Sequence, residues 1–346
     1  MVFYIPDFHV TGIGFNALNK SREDLLFLYR KMGFSPLTEE IVTVNDEKVK
    51  YFASNMALLG GYVESLLKAI DSKCHENDFL LMDFPFAIKF QGYSKIVSYA
   101  FSKKVKVVFF VHDLDGIRFQ NPLMNLSDSS CLDMAYCLIT PSKSMDMILR
   151  NQLHVSKKVK MVNHDYWDYH LTDTTVNQHR DALICFAGNL SKSSFLRSVP
   201  DELVLQGFNC YGKGFAQDYK GQFKGEYDPE TLVSVLDGKF GLVWDGKSEK
   251  TCSGSIGKYL RINASHKFGL YMASAKPVIV WREGSINDFV LSNKIGISVN
   301  SLDEIPELLS RIDIFSYRTM VSNVMKIRKE VITMDHLSKI ILSSFR

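Results

Sequence analysis

Between Phe240 and Trp281 the chain passes through an apolar run, a polar loop, a helical period and a second apolar run. Phe240 to Trp244 and Pro277 to Trp281 are short and apolar throughout, which fits strands buried on both faces of a sheet. The loop spans Asp245 to Gly257, and the helix is predicted from about Ser265 to Ser274. That order sets Lys258, Tyr259, Arg261 and Asn263 where a strand has ended and a helix is about to begin. Open α/β sheets take anionic ligands at this edge, because a helix N-terminus offers unpaired N–H groups and a favourable dipole. Asn263, Ser265 and Lys267 lie at the helix start, so the local physics predicts a phosphate or nucleotide site.

The same alternation fills the rest of the chain. Phe79 to Met82, Val105 to Val111, Ala135 to Thr140 and Val159 to Val162 read as strands of a first half. The patterns Arg22 to Met32, Ala57 to Ile70 and Lys143 to Asn151 read as helices; Leu58, Tyr62, Leu66 and Ile70 share one helical face, and Ser142 is an N-cap. After a polar stretch the alternation restarts, with strands near Ala182 to Phe186, Phe208 to Tyr211, Gly241 to Trp244, Val278 to Trp281 and Gly296 to Val299. Repeated strand–helix–strand order predicts parallel, doubly wound sheets. The expected division is a Rossmann-like domain over 1–165, a linker over 166–180, a second Rossmann-like domain over 181–320 and a C-terminal helix over 321–346.

The 346 residues are comfortable for two domains, and 46% apolar with 23% charged residues is ordinary for a globular protein. A net charge of +3 is too mild to suggest a nucleic-acid binder. No apolar run reaches the length of a membrane span. The first residues lack a basic segment before an apolar run and read as a strand, so no signal peptide is expected. The six cysteines form no Cys-x-x-Cys pair, which speaks against zinc and for a reduced, cytoplasmic chain.

Three segments carry a family resemblance. One is Gly241-Leu-Val-Trp-Asp245 followed by Tyr259-Leu-Arg-Ile-Asn263-Ala-Ser-His-Lys267 and Gly269-Leu-Tyr-Met-Ala273-Ser-Ala-Lys-Pro277-Val. The others are Phe186-Ala-Gly188-Asn189-Leu-Ser-Lys192 and His112-Asp113-Leu-Asp-Gly-Ile-Arg118. Together they resemble the bacterial glucosyltransferase 3-like and β-1,6-galactofuranosyltransferase group, GT-B glycosyltransferases that use UDP-sugars. The resemblance implies an α/β GT-B fold: two Rossmann-like doubly wound domains with an interdomain cleft, the donor held mainly by the second. It implies transfer of a hexosyl group to a saccharide hydroxyl in surface-polysaccharide or glycoprotein assembly. It further implies a lipid-linked or protein-linked acceptor, contact at the inner face of the membrane and a homo-oligomer.

A UDP-sugar needs cations for its diphosphate and a shaped slot for uracil and ribose. Lys192, Lys258 and Lys267 are the candidate cations, and charge developing on the leaving phosphate is the larger catalytic lever. Gly188, Asn189, Tyr211 and Gly212 suit a slot for the base, while Tyr259 and Asn263 can bond phosphate or ribose. Asp245 either contacts the donor or caps the loop after its strand. In the first half, Gly14 and Asn16 sit in a glycine-containing turn after the first strand, where backbone can approach an acceptor or a phosphate. His112 and Asp113 end the most buried strand and are candidates for a base that deprotonates the acceptor; the alternative is a packed, hydrogen-bonded strand end. Asp83, Asn163 and His164 close other strands. Asp113-x-Asp115 has the letters of a metal motif without its setting, so no metal and no cofactor is expected.

Two other classes compete. A non-catalytic GT-B-like scaffold subunit could lose the phosphate lysines, which this chain keeps. A Rossmann oxidoreductase would want a full glycine fingerprint and an acidic residue after its second strand.

Overall fold

The short apolar runs become the central strands of two parallel sheets in the computed structural model, which describes residues 1–7, 9–11, 17–38, 43–45, 56–86 and 92–346. In chain order the strands are β1 (Val2–Tyr4), β2 (His9–Thr11), β3 (Ser35–Pro36), β4 (Thr43–Asn45), β5 (Phe79–Phe84), β6 (Lys106–Val111), β7 (Cys137–Thr140) and β8 (Lys160–Asn163). They continue as β9 (Ile184–Ala187), β10 (Phe208–Tyr211), β11 (Gln222–Gly225), β12 (Phe240–Val243), β13 (Val278–Trp281) and β14 (Gly296–Val299). One unit holds Leu18–His164 with Leu337–Arg346; the other holds Asp165–His336.

The first unit carries a six-stranded sheet of order β3-β1-β5-β6-β7-β8, and β2 pairs with β4 separately. All of these pairs are parallel. Its centre is β6, where every residue but Lys106 is buried. Helices Tyr93–Ser102, Pro122–Leu132 and Lys143–Asn151 connect the strands; Ser142 caps the last by accepting from Met145 N. Residues 337–346 finish this unit. Phe345 lies 5.7 Å from the Phe34 ring and 4.9 Å from that of Phe79, and Lys160 Nζ donates to Ser343 O at 2.8 Å.

The second unit has strand order β11-β10-β9-β12-β13-β14, all parallel. Counted from β9 this is 3-2-1-4-5-6, the dinucleotide-fold order. Alternate residues feed two cores. Cys185, Ala187, Val243, Val278 and Val280 pack with Tyr271 on one face, and Ile184, Phe186, Leu242, Trp244 and Trp281 pack on the other. That two-sided burial is why these strands are apolar at every position.

Several expectations shift. Residues 166–180 are not a bare tether: Tyr166, Tyr169 and Leu171 belong to the second unit's core, and Asn177 Nδ2 donates to Val233 O and Leu236 O at 2.7 and 2.8 Å. Helix Ile314–Thr333 packs in the second unit beyond residue 320; a left-handed Met334 separates it from helix Asp335–Ser344. The loop after β12 contains a helix, Gly254–Tyr259. Strand β11 is short, has no buried residue and lies at the sheet edge, so no apolar run marks it.

Gly241 is fixed by packing. A Cβ there would stand 2.2 Å from Tyr271 Cγ, and that ring is buried and held by two hydrogen bonds. Gly241→Ala is expected to cost about 1–3 kcal/mol by overpacking. Urea unfolding of the two proteins measures this, and a change under about 0.5 kcal/mol would contradict it.

Candidate active site

Strand order reverses between β9 and β12 in the second sheet, and ligands of open α/β sheets bind outside the strand ends at such a point. The two strands pair only through Ile184–Phe240 and Cys185–Gly241. Beyond that register they part, and Tyr271 bridges the gap: its hydroxyl donates to Leu242 O at 3.1 Å and accepts from Ala187 N at 3.0 Å. Gly188 and Asn189 follow β9, while Trp244 and Asp245 follow β12.

Lys267 reaches this edge from the start of helix His266–Ala273. Its Nζ donates to both Asp245 oxygens, at 2.9 and 2.8 Å, and sits 5.5 Å from the centre of the Phe186 ring. The lysine and carboxylate side chains are 14% and 20% exposed. A Cβ on Gly188 would lie 3.1 Å from Lys267 Cε, so the bare glycine leaves the lysine its place. The helix start is braced by Trp167, whose Nε1 donates to Ala264 O at 3.0 Å and whose ring stacks 4.2 Å from His266. Thus two candidates, Asp245 and Lys267, are each other's partner, and Lys267 is not a free cation.

The unneutralised charge lies elsewhere on this edge. Lys192, Lys213, Lys247 and Lys258 are exposed, and none forms a side-chain ion pair with another described residue. The loops after β9 and β10 are laced together: Gly188 N donates to Tyr211 O at 3.0 Å and Leu190 N to Lys213 O at 2.9 Å. Gly212, at φ +122°, lets the loops touch, since a Cβ would fall 2.0 Å from Gly188 O. Lys192 and Lys213 therefore ride one platform. Lys213 and Lys247 were missed by sequence reasoning, although each follows a strand end as Lys192 does.

Other candidates stand differently. Tyr211 is buried; its hydroxyl donates to Val235 O at 3.3 Å and accepts from Asp237 N at 2.9 Å, so it anchors the core and lines no base slot. Tyr259 is buried on helix Gly254–Tyr259, while Lys258 beside it is exposed. Asn263 is half-buried and its carbonyl accepts from Ser285 Oγ at 2.8 Å. Asn189 is exposed and accepts from Ser191 Oγ at 2.6 Å. Gly14 and Asn16 lie outside the described residues.

In the first sheet the order reverses between β1 and β5. There a buried charged cluster forms. Arg22 bonds the Asp7 carboxylate and donates to Pro85 O at 2.8 Å. His112 Nε2 lies 3.0 Å from Asp83 Oδ1, with both side chains at most 5% exposed. Burial pushes the Asp83 carboxyl up to about 6, against the opposing pull of Arg22 and the Tyr29 hydroxyl. Burial, then the Arg22 charge, drives the His112 imidazole well below its ordinary value. His112 is thus a neutral ring turned onto Asp83, not a base presented at the surface. Asp113 is partly exposed and ion-paired to Arg118 at 3.1 Å. Sequence reasoning missed Asp7, Arg22 and Tyr29, which stand far from β5 and β6 in the chain.

Solved structures share this architecture. HepE of Anabaena, in complex with UDP and glucose, superposes with a TM-score of 0.61 at 12% identity over 99% of both chains. OtsA in its apo form superposes with a TM-score of 0.60 at 9% identity over 100% of this chain and 99% of its own. At such identities the likeness is one of fold, and the fold is GT-B. The glucosyltransferase 3-like N-terminal domain matches residues 7–165 and the C-terminal domain of the same family matches residues 184–344. The chain belongs to the glucosyltransferase 3-like family and is a glycosyltransferase. The β-1,6-galactofuranosyltransferase WbbI of Escherichia coli (strain K12) is 29% identical over 92% of this chain and 93% of its own length. Glucosyltransferase 3 of Streptococcus gordonii is 25% identical over 64% of this chain and 66% of its own.

The first-unit cluster has a pH signature. A carboxyl whose folded value is about 6 against 3.8 favours the folded state fully below pH 3.8, and that contribution is lost as pH rises through 6. Asp83→Asn should remove this loss, so its stability relative to wild type should rise by about 1–3 kcal/mol between pH 4 and pH 7. Urea unfolding at the two pH values measures it; a pH-independent difference would show Asp83 to be an ordinary carboxylate.

Proposed function

We propose that this glycosyltransferase moves a hexosyl group from a UDP-sugar to a hydroxyl of a growing saccharide, carried on a lipid or a protein, in bacterial surface polysaccharide or glycoprotein assembly. The observation that carries the reading is the strand-order reversal of the second unit, where the loops after β9, β10 and β12 carry exposed lysines that form no ion pair among the described residues. The names of the relatives agree in kind: both are hexosyl transferases, one of galactofuranose and one of glucose. UDP, present in the HepE complex, supplies the nucleotide.

The chemistry follows from charge. As the bond between the sugar and the diphosphate breaks, negative charge builds on the leaving phosphate. Donors fixed at that place stabilise it more than they stabilise the ground state. Lys192 and Lys213, held on laced loops, are assigned this role, and Lys258, on the helix that follows β12, is assigned it with them. The lysines offset the charge that a bound metal would otherwise offset, so no metal is assigned to the reaction.

The attacking hydroxyl needs a proton acceptor if configuration inverts. Asp113 is the assigned base, because it is partly exposed and follows β6, whereas His112 is spent on Asp83. No helix among the described residues is long and apolar enough to cross a membrane, so a lipid-linked acceptor is met without a helical span in those residues.

Lys192→Ala is expected to weaken UDP binding by about 1–3 kcal/mol through loss of a charge-assisted bond. Calorimetry giving unchanged UDP affinity would remove Lys192 from the donor site.

Asp113→Asn should lower hexosyl transfer by about 10²–10⁴-fold while UDP affinity holds. The assay is run in EDTA, where wild-type turnover should persist. Near wild-type transfer by the folded variant would exclude Asp113 as the base. Wild-type turnover that stops in EDTA and returns with Mn²⁺ would overturn the metal-free reading.

A further inference from the structure

The Asp245–Lys267 pair differs from the lysines around it in carrying no net charge. Lys267 commits two of its three N–H groups to the carboxylate, and each carboxylate oxygen keeps lone-pair capacity. A phosphate brought to the third N–H would stand against the Asp245 carboxylate, and like charges at that distance repel. A hydroxyl meets no such conflict. It donates to the carboxylate and accepts from the ammonium, so it uses both halves of the pair.

The placement suits a ligand. Asp245 follows β12 and Gly188 follows β9, the two strands between which the order reverses. Both side chains are partly open, and the missing Cβ of Gly188 clears the space beside Lys267 Cε. The pair is also rigid. The Phe186 ring lies beneath Nζ, and Trp167 braces the helix that bears the lysine. A site with fixed polar groups discriminates strongly by hydroxyl position, since a ligand lacking the hydroxyl leaves them unpaired.

We infer that Asp245 and Lys267 together read a hydroxyl of the transferred hexose, the carboxylate accepting and the ammonium donating, and so help set which hexose is taken. This rests on the UDP-sugar reading, and it separates two tasks at one edge: the exposed lysines hold the diphosphate, and the neutral pair reads the sugar.

The test compares two ligands on each protein. Calorimetry is run with UDP and with whichever of UDP-glucose, UDP-galactose and UDP-galactofuranose the wild type binds most tightly. Asp245→Asn should weaken the UDP-hexose about tenfold or more and UDP less than about threefold. Gly188→Ala, which presses a Cβ on Lys267, should act in the same selective direction. Equal weakening of both ligands would assign the pair to the nucleoside diphosphate and overturn the inference. So would unchanged binding of both, which would leave the pair a brace between loop and helix. Should Asp245→Asn fail to fold, Lys267→Gln carries the same comparison with the same deciding outcomes. A wild type that binds neither ligand fails the donor reading itself, before any variant is made, and the inference falls with it.

Discussion

The hydroxyl of Tyr271 supplies a rung that the second sheet lacks. Strands β9 and β12 pair at their first two positions and then diverge, which would leave Leu242 O and Ala187 N buried without strand partners. One phenol answers both, donating to the first and accepting from the second. Each such group, if left unmade, would cost about 1–3 kcal/mol. The crevice exists because the strands part, and it keeps its shape because this bridge limits how far they part. Gly241 is bare for the same reason, since the Tyr271 ring occupies the volume a side chain would fill.

The two units use similar sheet-order reversals in opposite ways. In the first, the charges at the reversal are turned inward. Arg22 answers Asp7, and Asp83 is met by His112. Burial without full compensation raises the Asp83 carboxyl and keeps the imidazole neutral. In the second, the charges face outward. One pair is mutually satisfied, and several lysines have no counter-charge among the described residues. A low-dielectric cluster tolerates no unpaired cation, whereas an open strand edge does, and an unpaired cation is what a leaving diphosphate requires.

Much of the architecture was legible because burial on both faces leaves a plain mark. Val278–Trp281, Gly296–Val299 and Phe208–Tyr211 appear where apolar runs put them. The run Lys143–Asn151 is a helix capped by Ser142, as its spacing indicates. Strand β11 was hidden because an exposed edge strand needs no apolar run. The segment 166–180 looked like a linker because its polar letters outnumber the aromatic ones that enter the core. At the site, position along the chain was legible and partnership was not. Asp245 and Lys267 were both named, yet their mutual bond brings together a strand end and a helix start 22 residues apart, beside Gly188 of another loop. Tyr211 was read as a ligand slot because it ends a strand. Strand pleat decides which way such a residue faces, and here its hydroxyl goes to the backbone at Val235 and Asp237. The Arg22 cluster needs three separated segments to meet, and no local pattern announces that.

The first unit takes Leu337–Arg346 as part of its own packing, with Phe345 set against Phe34 and Phe79. Translation runs from one end, so the whole of Asp165–His336 leaves the ribosome before that segment does. The half of the protein that is synthesised first is therefore completed last. Until then Phe34 and Phe79 have Tyr29 and Tyr136 beside them but lack the Phe345 ring, and apolar surface left open in that way is what chaperones recognise and aggregation exploits. The nascent chain carries an unfinished amino-terminal unit throughout the synthesis of Asp165–His336. The second unit has no such wait for residues 337–346.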